Sequence, residues 1–173
     1  MLAALVVLVQ EEYRWRRVTA FLDPWSDPRD TGYQVIQSMI SVGAGGIFGR
    51  GLMDGLQKLF YLPEPHTDFI YAVIGEELGL IGATAILICF GIIAWRGLSI
   101  AARAEDRFGA LVALGLSTMV AVQAVVSMSV VLGLLPTKGI PLPLVSNGGS
   151  SLLVSLLGVG ILLNISQHES PDA

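Results

Sequence analysis

Charged residues and cysteine are scarce in this chain of 173 residues. Charged residues make up 14% of it, against about 25% in a typical soluble domain, while 53% of the residues are hydrophobic. A single cysteine, Cys89, excludes an internal disulfide and a cysteine-rich zinc centre. Ten basic and fourteen acidic residues give a net charge of -4, which excludes a basic nucleic-acid-binding surface. This balance is typical of a membrane protein.

Long apolar runs predict where the chain crosses the membrane. Crossing a bilayer takes about 20 residues in a helix, and the predicted transmembrane helices are residues 69–95, 108–135 and 149–165. Residues 1–12 begin with an apolar run that is too short to cross and lack the features of a signal peptide, so they are predicted to be the end of a transmembrane helix. The sequence therefore predicts an all-α polytopic membrane protein with three complete spans and a helix stub.

A long loop, residues 13–67, separates the stub from the first complete span. Aspartate–proline pairs and a glycine cluster from Gly43 to Gly55 interrupt regular structure in this loop. One short interfacial helix is predicted from Gly32 to Val42, because apolar and polar residues alternate there at helical spacing. The aromatic and apolar content of the loop argues against disorder, so a loop of this length is expected to be functional.

The most informative stretch leads from the loop into the first span. Pro63 and Pro65 hold the chain extended, so no helix can begin before about His66. Thr67 and Asp68 then stand where side-chain oxygens would cap the first turn of a helix. Capping and catalysis are alternatives for Asp68 at this point, because aspartate is common at helix N-caps.

Two further carboxylates, Glu76 and Glu77, lie inside the apolar run that follows Asp68. On a continuous helix, Glu76 would stand about 12 Å further along the axis, which is too far for the paired carboxylates of a glycosidase. Asp68 would therefore act alone. The two glutamates would either face a cavity or partner, or mark the rim of the membrane. Gly75 and Gly79 offer a small-residue face for close helix packing.

These stretches resemble the SEDS family, the FtsW, RodA and SpoVE group of bacterial peptidoglycan polymerases. The resemblance is carried by Leu-Pro-Glu-Pro-His-Thr-Asp-Phe at residues 62–69 and by Gly-Glu-Glu-Leu-Gly at residues 75–79. It extends upstream through residues 13–25 and downstream through residues 135–151, and so covers nearly the whole chain. In that family the chain would correspond to the C-terminal half of a longer polytopic enzyme.

The resemblance implies a peptidoglycan glycosyltransferase that polymerises lipid II into glycan strands during cell division and releases undecaprenyl pyrophosphate. It implies that Asp68 is catalytic, because inversion of an α-linked donor needs one general base and no covalent intermediate. The stretch Pro136-Thr137-Lys138-Gly139 looks more like the FtsW branch than the RodA branch. RodA-type elongation and SpoVE-type sporulation roles are the alternatives within the family. A lipid II flippase and a non-catalytic divisome scaffold are the alternatives of another class.

The resemblance also implies substrate contacts around Asp68. The candidates are polar neighbours in the motif, cations for the pyrophosphate and a polar turn before the last span: His66, Thr67, Glu64, Gln57, Lys58, Lys138, Ser146, Gly148, Gly149 and Ser150. Arg17 and Arg50 are further candidate cations, with headgroup binding as the alternative. The main-chain N–H groups of residues 146–151 could hold an anion. Asn147 stands where the family usually has a tyrosine, which leaves a contact by that ring in doubt.

Cofactors, partners and location follow from the same resemblance. No metal ligand is assigned, and a divalent cation, Mg2+ or Mn2+, is the candidate for neutralising the pyrophosphate. Expected partners are lipid II, the undecaprenyl-linked nascent glycan, a class B penicillin-binding protein, divisome proteins and the membrane, with no nucleic acid. The expected location is the bacterial inner membrane, with the loop 13–67 on the outer face, although the count of Lys and Arg favours the cytoplasm for that loop. This chain alone is expected to be inactive, because half of the substrate groove would be missing.

Overall fold

The computed structural model describes residues 21–26, 28, 32–55, 68–136 and 139–167. These residues form four α-helices: α1 (Tyr33–Gly45), α2 (Ile70–Arg103), α3 (Arg107–Val131) and α4 (Gly149–Ser166). A short 3-10 turn, Pro24–Ser26, precedes α1. The described ranges contain no β-strand, and the prediction of an all-α protein is confirmed.

Three of the helices, α2, α3 and α4, are long and apolar enough to cross a membrane. Their outward surfaces carry large exposed hydrophobic side chains, among them Leu87, Ile88, Trp95, Leu111 and Leu157. An apolar surface of this extent is typical of a protein that contacts lipid chains rather than water. The prediction of three membrane-crossing helices is therefore confirmed.

The helix ends differ from the predicted boundaries. α2 continues to Arg103 rather than stopping at residue 95, and the basic side chain of Arg103 in its last turn favours a helix C-terminus. α3 ends at Val131 rather than at residue 135, since Gly133 takes a positive φ of 69° and Pro136 follows. The interfacial helix α1 is the one predicted from Gly32 to Val42 and runs one turn further, to Gly45. The helix stub and residues 56–67 of the loop lie outside the described residues.

The core lies between α2 and α3, with α1 packed against α2 and α4 against α3. Aromatic and small side chains fill it: Phe69, Tyr71, Ala72, Ala83, Phe90, Val120, Ala124, Met128, Val131 and Leu142. The hydroxyl of Ser38 in α1 donates a hydrogen bond of 3.0 Å to the carbonyl oxygen of Val131 at the end of α3. The start of α2, the end of α3 and the loop before α4 therefore meet at one end of the helix bundle.

Candidate active site

Asp68 lies in the turn immediately before α2, and its carboxylate faces the loop between α3 and α4. A Cβ built on Gly139 of that loop would lie 2.7 Å from Oδ2 of Asp68 and 3.5 Å from its Cγ. A real Cβ essentially never comes that close to an oxygen, so the carboxylate occupies space that only a glycine leaves open. The fold thus brings together two positions that are far apart in sequence.

Asp68 is not the N-cap residue of α2. α2 begins at Ile70 with Phe69 at the N-cap, and the Phe69 side chain makes no capping hydrogen bond. The N–H groups of Ala72 and Val73 instead donate to the carbonyl oxygen of Phe69. Capping was the alternative to catalysis for Asp68; the N-cap position is Phe69, and the catalytic role of Asp68 stays a prediction. The phenyl ring of Phe69 is only 4% exposed and anchors the turn in the core, which leaves the preceding carboxylate outside the helix.

The loop before α4 is fixed by its own hydrogen bonds. The N–H of Leu142 donates to Oγ of Ser146 at 2.8 Å, and the N–H of Ser146 donates to the carbonyl oxygen of Leu142 at 3.0 Å. From α3, Nε2 of Gln123 donates to the carbonyl oxygen of Pro141 at 3.0 Å. Leu144 has a φ of 64°, a strained conformation for a residue other than glycine. Protein contacts therefore support this irregular backbone, as a membrane environment requires.

Four of the predicted substrate-binding residues lie in the described part of the chain, and the structure brings them to the loop before α4. Ser146 is buried, and its hydroxyl oxygen accepts the hydrogen bond from the N–H of Leu142 within the turn. Gly148 is the N-cap of α4, and Gly149 and Ser150 are exposed beside it. Substrate binding by all four stays a prediction. The other predicted residues and one candidate cation lie outside the described residues: His66, Thr67, Glu64, Gln57, Lys58, Lys138 and Arg17.

An apolar groove of about 720 Å³ runs along α3 and ends at the same loop. It is lined from Leu111 to Val126, with Thr118 and Gln123 as its polar side chains, and it reaches Ile140. Ile140 directly follows Gly139, the residue against which the Asp68 carboxylate packs. The groove therefore offers an apolar surface suited to a hydrocarbon chain next to the carboxylate.

The two glutamates of α2 have different surroundings. Glu76 is fully buried, and its Oε1 lies 3.6 Å from Nη1 of Arg50. Glu77 is partly exposed. The structure therefore favours a partner over solvation at the membrane rim for Glu76. Arg50, a candidate cation for the pyrophosphate, is engaged with this buried carboxylate, although its side chain keeps 42% exposure.

Metal-binding residues were not assigned from the sequence. In the ranges that the structure describes, no group of three or more His, Cys, Asp or Glu side chains comes together to hold a metal ion. The predicted divalent cation stays a prediction, and no protein ligand can be named for it among these residues.

Three features of the site were not predicted from the sequence: the place of Gly139 against Asp68, the hydrogen bond of Gln123 and the pairing of Arg50 with Glu76. The sequence could have pointed to Gln123, because it is the only amide side chain in α3 and a polar group in an apolar helix needs a hydrogen-bond partner. Arg50 offered one too, because glycines flank it on both sides and favour a tight loop. Gly139 gave no signal of its own, since glycine is common in any loop that also contains prolines.

Comparison with known proteins establishes the class of this membrane protein. The FtsW/RodA/SpoVE family, described as "Cell cycle protein", matches residues 1–171, and the chain belongs to this family. The resemblance found in the sequence is thereby confirmed.

Individual relatives agree with this assignment. The chain is 56% identical over 154 residues to the "Probable peptidoglycan glycosyltransferase FtsW" of Geobacter sp. (strain M18), covering 89% of this chain and 42% of that protein. It is 50% identical over 162 residues to "Stage V sporulation protein E" of Bacillus subtilis (strain 168), covering 94% of this chain and 44% of that protein. The chain thus spans less than half the length of these relatives.

A solved structure shares the fold. It is described as "Structural coordination of polymerization and crosslinking by a peptidoglycan synthase complex", and it matches with a TM-score of 0.71 at 31% sequence identity. The match covers 96% of this chain and 47% of that one. The helices of this chain therefore adopt an arrangement found in a chain of that complex.

Proposed function

We propose that this chain carries the catalytic centre of a peptidoglycan glycosyltransferase that polymerises lipid II during cell division. The observation that carries the proposal is the Asp68 carboxylate, which stands before α2 and against Gly139 of the facing loop. The printed name of the Geobacter relative supports the reaction type. The apolar groove that ends at Ile140 supports a substrate with a hydrocarbon tail.

In the proposed reaction, Asp68 accepts the proton of the 4-hydroxyl group of the acceptor sugar. The hydroxyl oxygen attacks C1 of the donor sugar, and the bond from C1 to the pyrophosphate breaks with inversion. This step needs one base, and general-base catalysis of this kind contributes about 10²- to 10⁴-fold to a rate. Glu76 does not supply a second catalytic carboxylate, because it is fully buried and paired with Arg50.

The test is an Asp68→Asn substitution in the full-length protein, purified with its partner and assayed for polymerisation of lipid II. We expect a loss of at least about 100-fold, because the amide cannot accept the proton. Asp106→Asn is the matched control, since Asp106 caps α3 by accepting from the N–H of Gly109 at 3.2 Å and asparagine also caps helices well. Glycan strands of normal length and amount from the Asp68 variant would remove the general-base role.

A second candidate function, transport of the lipid-linked precursor, is favoured by one observation. α2 is interrupted at Gly79, and discontinuous helices form the binding sites of many transporters. In such sites the freed main-chain groups contact the substrate, whereas here the N–H groups of Leu80 and Ile81 donate to Gly46 and Ile47. Measuring lipid II flipping and polymerisation in the same liposomes separates the two functions. Flipping without polymerisation would favour the transporter.

We further propose that the end of the protein carrying Asp68 faces the outside of the inner membrane, where it meets a class B penicillin-binding protein and the divisome. The overall count of Lys and Arg opposes this orientation, but that count is dominated by the long loop 13–67, where the rule is weak. Arg96, Arg103 and Arg107 lie in or beside the short connection between α2 and α3, toward the opposite end of the bundle, and they favour the cytoplasmic side for that end. The relation to a peptidoglycan synthase complex supports a synthase partner.

Cysteine labelling tests the orientation. In a full-length Cys89→Ala background, a membrane-impermeant maleimide added to spheroplasts should label Asn147→Cys but not Glu105→Cys. Both positions are exposed, and they lie at opposite ends of the helices. Labelling of the cysteine at position 105 alone would reverse the proposed orientation.

A further inference from the structure

The interruption of α2 at Gly79 is filled by another part of the chain. A continuous helix would have hydrogen bonds from the N–H groups of Leu80 and Ile81 to the carbonyl oxygens of Glu76 and Glu77. Instead, all four of these main-chain groups form hydrogen bonds with the loop after α1. Leu80 and Ile81 donate to the carbonyl oxygens of Gly46 and Ile47 at 2.9 and 3.3 Å. Arg50 and Gly51 donate to the carbonyl oxygens of Glu76 and Glu77, both at 3.0 Å.

Glycines allow the loop to enter the interruption. Gly79 has a φ of 67°, and a Cβ there would lie 2.6 Å from the carbonyl oxygen of Ile47. A Cβ on Gly45 would collide with the carbonyl oxygen of Gly75, and one on Gly49 would collide with that of Glu77. The predicted small-residue face of Gly75 and Gly79 thus packs closely, but against α1 and its following loop rather than against another membrane-crossing helix.

The buried ion pair lies at the same place. Arg50 donates its N–H to the main chain of Glu76 and brings its guanidinium to 3.6 Å from the Glu76 carboxylate. A Cβ on Gly55 would lie 3.2 Å from Oε2 of Glu76, so the loop also passes over the carboxylate. Because a buried carboxylate without a partner is strongly unfavourable, this pair ties the last turn before the interruption to the loop.

We infer that Arg50 and Glu76 are positioning residues for Asp68. This inference rests on the proposed function, in which Asp68 is the base. The segment Ile70–Leu78, called here the half-helix, begins two residues after Asp68 and ends at the interruption, where the loop and the ion pair set its direction. Glu76 lies six residues, about 9 Å, along the half-helix from its start, and Asp68 lies two residues before that start, so a tilt of about 5° would displace Asp68 by about 1 Å. A displacement of that size can lower a rate by about 10²-fold.

The first test compares Glu76→Gln with Asp106→Asn in the full-length protein with its partner. Glu76→Gln should lower kcat for lipid II polymerisation by about 10- to 100-fold and leave KM within about twofold, because the substrate still binds while the base is displaced. Asp106→Asn, the matched carboxylate-to-amide control beyond the far end of α2, should change kcat by less than about threefold, because asparagine also caps α3. Equal losses from the two variants, or no loss from Glu76→Gln, would overturn the inference.

Arg50 provides a rescue experiment. Arg50→Met should reduce kcat as much as Glu76→Gln, and the double variant should lose no more than the worse single variant, because one interaction is removed in each case. Arg50→Lys keeps the charge and should recover most of the rate. Losses that multiply in the double variant would contradict a shared role.

A cross-linking measurement tests whether the ion pair positions residue 68 without relying on the proposed catalytic role of Asp68. In a Cys89→Ala background, Asp68→Cys with Gly139→Cys should form a disulfide readily, because a Cβ at 139 lies 3.5 Å from the position of Cγ of residue 68. Adding Glu76→Gln should slow this cross-link at least about fivefold while the thermal unfolding midpoint stays nearly unchanged. An unchanged cross-linking rate would refute positioning. If Asp68→Asn keeps its activity, the proposed base fails, and this measurement still decides whether the pair positions residue 68.

Discussion

The two parts of α2 on either side of Gly79 differ in what surrounds them. Before the interruption, Tyr71, Ala72, Val73 and Glu76 are all buried within the protein. After it, the helix from Leu80 to Arg103 exposes most of its large apolar side chains. That second part has 24 residues and a length of about 36 Å, enough to cross a bilayer by itself. The half-helix is therefore not needed to cross the bilayer, and it can instead position the candidate active site.

Under the proposed function, this difference would let one helix both cross the membrane and hold the turn that carries Asp68. The second part exposes an apolar surface suited to lipid, and the half-helix is contacted by α1 and the following loop. The hydroxyl of Tyr71 bridges the two parts by donating to the carbonyl oxygen of Ala83 at 3.2 Å. One apolar run in the sequence thus contains two units with different partners.

Closing the interruption should have the largest effect. Gly79→Ala would place a methyl group against the carbonyl oxygen of Ile47 and strain a backbone that has a φ of 67°. We expect a destabilisation of about 3 kcal/mol or more, because the loop cannot shift without losing its hydrogen bonds. Thermal unfolding in detergent and the yield of folded full-length protein measure it.

Gly91→Ala is the matched control in the same helix. A Cβ at Gly91 meets nothing within 4 Å, and alanine is the better helix former by about 1 kcal/mol. This variant should fold as well as the parent protein. If the two variants behave alike, the interruption at Gly79 is not required, and the contrast between the two parts of α2 disappears.

Much of the fold could be predicted from the sequence, because hydropathy and spacing act locally. The runs that became α2, α3 and α4 are apolar over the length of a span, and α1 shows its two faces at helical spacing. The interruption could not be read in this way. Gly79 follows Glu76 and Glu77 inside a long apolar run, and glycine is tolerated in membrane helices, so only the loop that fills the gap reveals the break.

The candidate site was predictable only in part. The catalytic role of Asp68 was predicted from the resemblance of residues 62–69 to the family's motif, whereas the residues alone left capping as an alternative. The surroundings of Asp68 depend on Gly139, which lies 71 positions later and comes near only when α2 and α3 pack antiparallel. The burial of Glu76 depends equally on a distant residue, Arg50. Long-range contacts of this kind leave no periodic pattern in a single sequence.

The smaller effect is expected on the other side of the site, at the loop that faces the half-helix. Gly139→Ala would place a Cβ 2.7 Å from Oδ2 of Asp68, so the carboxylate has to rotate or move away. Gly139 is exposed, and the displaced group is the end of a side chain, so stability should fall by less than about 1 kcal/mol. Polymerisation of lipid II should fall by about 10-fold, since the base loses its orientation toward the acceptor. The control is Gly160→Ala, at an exposed position of α4 where a Cβ meets nothing within 4 Å, and it should keep its rate. An unchanged rate in Gly139→Ala would mean that the orientation of the carboxylate is set by the half-helix alone, and the loop before α4 would then have no part in holding the base.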